Sequence, residues 1–167
     1  MDVRLSVDGR EHQVDVEART TLADALREHC GVTAVHLGCE QGSCGACTVI
    51  VDGEAIRSCL VFAVQADGSR VTTAAGLADG ERPHPVQQAL ADHQGLQCGF
   101  CTPGFAVLLA HALDERADLD DDELLDLVSS NLCRCTGYRG ILAAARTVRD
   151  QRRGSGGLAA AGGPASR

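Results

Sequence analysis

Val3-Arg4-Leu5-Ser6-Val7 alternates apolar and polar side chains, and the alternation resumes at Gln13-Val14-Asp15-Val16. Period two on either side of Asp8-Gly9 predicts a β-hairpin, because that dipeptide accepts the positive φ angles of a tight turn. Thr21-Leu22-Ala23-Asp24 has the form of a capping-box start, and Leu22, Ala25 and Leu26 share one helical face. A helix is therefore predicted to run to Cys30-Gly31, where glycine supplies a C-cap. Thr48-Val49-Ile50-Val51 and Ala55-Ile56 flank Asp52-Gly53 as a second hairpin, and Val71-Thr72-Thr73 reads as a last strand. Together these elements predict a small mixed sheet with one helix packed on it.

From Gly76 to Pro85 the chain turns to Gly, Pro and charge, the composition of a linker. Beyond it the apolar period becomes helical. Val86-Gln87-Gln88-Ala89-Leu90 starts one helix; Thr102 is placed to N-cap the next, with Pro103 at its first position and Phe105, Leu108, Leu109, Ala112 and Leu113 as its apolar stripe. Asp120 to Asp122 front a third helix carrying Leu124, Leu125, Leu127 and Val128, where the acidic run favours the positive end of the helix dipole. Ile141, Leu142, Ala145 and Val148 mark a fourth. Short loops make neighbouring helices antiparallel, so the loop between the first two and the loop between the last two should lie at one end of an up-down bundle. The Gly-rich stretch after Arg153 has no periodicity and reads as a disordered tail.

The α+β pattern thus divides into residues 1–76, a linker at 77–84, a helical unit at 85–153 and a tail at 154–167. Each half is of a size at which a hydrophobic core is marginal and a metal often contributes to folding. A formal charge of −8, with every basic residue an arginine, argues against nucleic acid as a partner. The N-terminus lacks an apolar signal region and no stretch is long enough for a membrane span, so the expected location is the cytoplasm. In that reducing compartment nine cysteines point to metal rather than disulfides, and the odd count fits poorly with full pairing.

Eight of the cysteines fall into two quartets. Cys39, Cys44 and Cys47 are spaced C-x4-C-x2-C, with Cys59 further along, the spacing of a plant-type 2Fe-2S cluster. Gly38, Gly42 and Gly45 alternate with these ligands, as a chain wrapped tightly around a cluster requires. A structural zinc more often takes paired C-x2-C knuckles. Cys98-x2-Cys101 and Cys133-x1-Cys135 form the second quartet, in the two loops that the bundle topology brings to one end; its spacing alone admits iron-sulfur or zinc. Cys30 is left over and reads as a small buried hydrophobe. The six histidines show no ligand spacing, and no Ser-His-Asp, phosphate-loop or Gly-x-Gly-x-x-Gly signature is present. Nothing here would make or break a substrate bond, so the chain is expected to carry electrons and leave the chemistry to a partner.

Four segments, Gly38–Val49, Ser58-Cys59-Leu60, Gln97–Gly104 and Cys133–Tyr138, together resemble the small iron-sulfur subunit of the molybdenum hydroxylases, the family of xanthine dehydrogenase, aldehyde oxidoreductase and aerobic carbon monoxide dehydrogenase. The resemblance runs from about residue 2 to 150. It implies an N-terminal β-grasp plant-type ferredoxin domain followed by a C-terminal four-helix bundle iron-sulfur domain. It further implies a large subunit with molybdenum on a molybdopterin cytosine dinucleotide, a medium subunit with FAD, and a dimer of heterotrimers. Electrons would pass from the pterin to the cluster on Cys98, Cys101, Cys133 and Cys135, then to that on Cys39, Cys44, Cys47 and Cys59, then to flavin. Gln97 and Cys135 would contact the molybdopterin, while Arg134 and Tyr138 would tune or shield the cluster. Carbon monoxide dehydrogenase subunits tend to carry aspartate after the first loop cysteine. Glu40-Gln41-Gly42 is more similar to enzymes acting on heteroaromatic rings, aldehydes or aromatic acyl thioesters. Two other readings are a free two-cluster ferredoxin and a zinc-stabilised interaction module.

Overall fold

The computed structural model of the protein describes residues 1–159. Both predicted hairpins form. β1 (Asp2–Val7) pairs antiparallel with β2 (Arg10–Asp15), and β3 (Thr48–Val51) with β4 (Glu54–Arg57). Their turns place Asp8 and Gly9 at φ 50° and 79°, and Asp52 and Gly53 at 48° and 99°, as the Asp-Gly dipeptides require. β5 (Arg70–Thr72) lies between the hairpins, parallel to β1 and antiparallel to β3, giving the order β2-β1-β5-β3-β4. Val3, Leu5, Val7, Val49 and Val71 point to one face and are buried there against Leu22 and Leu26.

The helix on that face departs from a regular α-helix. Thr21 caps it as expected, its hydroxyl accepting from the Asp24 N–H at 3.1 Å. After α1 (Leu22–Asp24), however, Ala25–His29 forms a π-helical turn closed by the Cys30 N–H to Ala25 carbonyl bond at 2.9 Å. Leu22, Ala23, Ala25 and Leu26 are all buried in the core. Gly31, at φ 70°, ends the segment.

Four helices follow: α2 (Pro85–Asp92), α3 (Thr102–Glu115), α4 (Asp121–Ser129) and α5 (Arg139–Ala159). His84, read as linker, caps α2 with its ring nitrogen on the Val86 N–H, while the Gln87 side chain accepts from the His84 N–H. Thr102 does not cap α3. Cys101 occupies that position and the helix begins at Thr102, whose hydroxyl is buried without a hydrogen-bond partner. Asp120 and Glu123 form a reciprocal capping box at α4, in line with the dipole reading. α5 runs to Ala159, past Arg153 where a tail was expected to begin. The helix established over Ile141 to Val148 continues through this segment, each further residue adding a backbone hydrogen bond. Residues 160–167 of the expected tail lie outside the described residues. Among the described residues no helix is long and apolar enough to cross a membrane.

The four helices enclose a second apolar core around Leu90, Phe105, Leu109, Leu113, Leu124 and Ile141, sharing no residue with the first. Arg149 closes its far end. Only 8% exposed, it donates to the Leu119 carbonyl at 3.3 Å and to Asp121 at 2.7 Å. Arg149→Ala is expected to take one donor from each acceptor, Leu119 keeping Arg153 and Asp121 keeping Arg146, and to lower the thermal midpoint by the equivalent of about 1 kcal/mol, read by circular dichroism, with iron content unchanged.

Candidate metal centres

Cys39, Cys44 and Cys47 of the first thiol set occupy the loop between α1 and β3, and Cys59 follows just after β4. Glu40, Gly42 and Gly45 have φ of 54°, 80° and 75°, so the chain turns repeatedly through the left-handed region. Gly38, expected to share this conformation, does not. It is needed for space, since a Cβ there would lie 3.2 Å from both the Cys44 Sγ and the Phe100 ring. At Gly42 a Cβ would meet the Leu60 side chain at 2.6 Å. The turns aim backbone N–H groups of Gln41, Cys44 and Ser43 at the Cys39 sulfur, and these hold its thiol down at about 7. Burial, with Cys47 beside it, pushes the Cys59 thiol up to about 11.

The second set assembles where bundle topology predicts. Cys98 and Cys135 lie with sulfurs 3.5 Å apart. Burial and the neighbouring Cys133 push the Cys101 thiol up to about 12. The Cys133 thiol is lowered: its burial works the other way but is outweighed by Thr136, whose hydroxyl lies 3.1 Å from the sulfur, and by backbone N–H donors. Tyr138, more than packing, accepts the Cys133 N–H at 2.9 Å and meets the core through an edge-on contact with Phe105. The sulfurs open on a cleft of about 360 Å³ lined by Phe100, Leu132 and Arg134 as well as the four cysteines. Cys98, Cys135 and Gln97 are exposed, Gln97 directly beside Cys98.

In both sets the thiols associate in twos. The Cys98 and Cys135 sulfurs are 3.5 Å apart and the Cys39 sulfur accepts the Cys44 N–H at 3.3 Å, while Cys47 lies beside Cys59 and Cys101 beside Cys133. A 2Fe-2S cluster takes two protein ligands on each of its two irons, so a two-plus-two grouping fits it, and the convergent N–H donors suit its anionic sulfurs. Cys30 belongs to neither set. It caps the π-helical turn, packs partly buried against the sheet core, and its thiol is raised by that burial.

The two sets meet across a seam that sequence reasoning did not foresee. The Leu132 N–H donates to the Cys44 carbonyl at 2.9 Å, so one hydrogen bond links the residue before Cys133 to a thiol-bearing residue of the other set. Arg57 reaches over to the Ser130 carbonyl at 3.0 Å, and His36 bonds the Phe100 carbonyl at 2.7 Å, inside the Cys98–Cys101 loop. Gly104 faces Gly45 so closely that a Cβ on it would lie 2.1 Å from the Gly45 carbonyl oxygen. His36, Arg57, Phe100, Asn131 and Thr136 were given no role by sequence. None has a ligand spacing, and only the adjacency of Phe100 and Thr136 to cysteines pointed towards any of them.

Fold and sites together define a protein with two 2Fe-2S binding units. Residues 5–78 match the 2Fe-2S iron-sulfur cluster binding domain family and residues 73–146 the 2Fe-2S binding domain family. The chain is 46% identical over 149 residues to caffeine dehydrogenase subunit gamma of Pseudomonas sp. strain CBB1, covering 87% of this chain and 89% of that one. It is 45% identical over 144 residues to the nicotine 6-hydroxylase small subunit of Paenarthrobacter nicotinovorans, covering 86% and 87%. It superimposes on a chain of quinoline 2-oxidoreductase from Pseudomonas putida 86 with a TM-score of 0.85 and 43% identity, covering 92% of this chain and 97% of that one. The chain belongs to the family of small iron-sulfur subunits of molybdenum hydroxylases, electron-transfer subunits of multi-subunit oxidoreductases.

Proposed function

We propose that the chain relays electrons from a molybdopterin centre in a large subunit to FAD in a medium subunit, through two clusters held by its own thiolates. Residues 1–76 form a β-grasp ferredoxin unit whose Cys39 and Cys44 take one iron and Cys47 and Cys59 the other. Residues 85–153 form the helical unit, with Cys98 and Cys135 on one iron and Cys101 and Cys133 on the other. When bound, each cluster supplies a site that accepts and releases one electron. The chain's own groups do the rest: backbone N–H donors from Gln41, Ser43 and Cys44 stabilise negative charge at the first sulfurs, and Thr136 does so at Cys133.

The observation that carries this reading is the convergence of thiols at two places, with the Cys98 and Cys135 sulfurs 3.5 Å apart at one and the Cys44 N–H on the Cys39 sulfur at 3.3 Å at the other. Exposure of Cys98, Cys135 and Gln97 beside the 360 Å³ cleft supports docking of the molybdopterin subunit at the second set, with Gln97 and Cys135 contacting the pterin. The first set would then serve the flavin side, where Leu60 and Phe62 are exposed at 62% and 46%. We place the complex in the cytoplasm as a dimer of heterotrimers. The relatives named for caffeine, nicotine and quinoline support a nitrogen-containing aromatic ring as its substrate class.

Purification of the native complex is expected to give roughly four irons per chain, with molybdenum and flavin on co-purifying larger subunits, and a reddish-brown colour bleached by dithionite. Zinc in place of iron, or a chain that purifies alone, would sink the reading.

A further inference from the structure

Asn131 stands out among the residues between the two thiol sets because its polarity is costly where it sits. It is 1% exposed, and its amide oxygen has no hydrogen-bond partner. Its amide nitrogen donates to the Gly45 carbonyl at 3.4 Å, an acceptor already bonded by the Thr48 N–H at 3.2 Å and the Thr48 hydroxyl at 2.6 Å. An apolar side chain of the same size would fill this place without a stranded oxygen, so packing alone does not account for an asparagine.

Its surroundings give it another task. The Asn131 backbone N–H closes on the Val128 carbonyl at 3.3 Å at the end of α4, and the next N–H, of Leu132, holds the Cys44 carbonyl. The Gly45 peptide is gripped between α3 at Gly104 on one side and Asn131 on the other. A Cβ on Gly45 would lie 1.9 Å from the Asn131 amide oxygen. Residues 44–45 and 131–133 thus form a continuous covalent and hydrogen-bonded path from one set of sulfurs to the other, with the Asn131 side chain bonded across it.

We propose that Asn131 is a positioning residue that sets the spacing between the two clusters and thereby the electron step between them. The proposal rests on the two-cluster reading above. Asn131→Leu keeps the branching of the side chain and removes the donor; Asn131→Asp keeps the shape and turns an oxygen towards the Gly45 carbonyl. Both are made in the full-length chain within its native complex. With both clusters reduced, their unpaired spins split each other's EPR lines by an amount that falls with the cube of the distance, whereas each cluster's own g-values report its ligands.

The expected result is unchanged iron content and g-values, an altered splitting, and a several-fold slower transfer between clusters after flash reduction. Unchanged splitting and transfer rate in a variant that retains both clusters would overturn the proposal. Loss of a cluster in both variants would overturn it too, since Asn131 would then serve folding rather than spacing. If the unsubstituted chain lacked two iron centres, the functional reading itself would fail, a result distinct from either.

Discussion

Cys133→Ser is expected to halve the iron of the chain, from roughly four atoms to roughly two, and to remove one of two EPR signals. A serine hydroxyl is a poor ligand for iron at neutral pH, and Cys133 and Cys101 form one of the two thiol pairs of the second set. The cluster would also cease to cross-link the α2–α3 loop to the α4–α5 loop, so the helical half should lose stability. The first centre should survive, because it shares no thiol with the second. Its contacts across the seam, from the Leu132 N–H and the Asn131 amide, do not involve the Cys133 side chain. Iron analysis and EPR of the reduced protein check this. Equal loss of both signals would mean that the two sets are not separate sites.

Gly104→Ala is expected to be strongly damaging to the seam. The added carbon would lie 2.1 Å from the Gly45 carbonyl oxygen and 3.0 Å from the Ala46 Cα. Both are backbone atoms of the tight loop that carries Cys44 and Cys47, so neither can rotate aside. Either α3 moves outward or the loop distorts, at a cost of about 1–3 kcal/mol or more. Denaturant unfolding should show the loss, and limited proteolysis should show faster cutting between the halves. Gly154→Ala is the control. It sits in α5 with nothing within 4 Å of the added carbon, and should be neutral or slightly stabilising. Equal behaviour of the two variants would deny the seam its structural role.

Much of the fold is legible from local chemistry. Asp8-Gly9 and Asp52-Gly53 dictate their turns because few other dipeptides accept two positive φ angles, and the strands on either side follow by alternation. The thiol spacing is legible because a cluster demands a fixed set of sulfurs from a short loop. The boundary residues are less so. Thr102 looks like an N-cap by composition, yet the Cys98–Cys101 turn leads straight into the helix and leaves Cys101 in that position. The α1 segment has the composition of an α-helix, and nothing in that composition marks the π-helical turn at Ala25–His29. Gly38 is a glycine for proximity to Phe100, a residue from the other half of the chain that no local pattern could connect to it.

The sequence by itself determined where the two hairpins and the four later helices lie, that eight cysteines make two sets, and that the bundle loops bring the second set together. Those properties depend on neighbours along the chain or on short connections. The tertiary structure alone decided that β5 enters the middle of the sheet, how the thiols pair, and that Cys44 and Leu132 share a hydrogen bond. The reason is that the seam between the halves joins residues such as Gly45 and Asn131, 86 positions apart, through close backbone approach. Glycines and a buried amide leave no periodic trace in a sequence, so the contact between the two electron sites becomes visible only once the halves are docked.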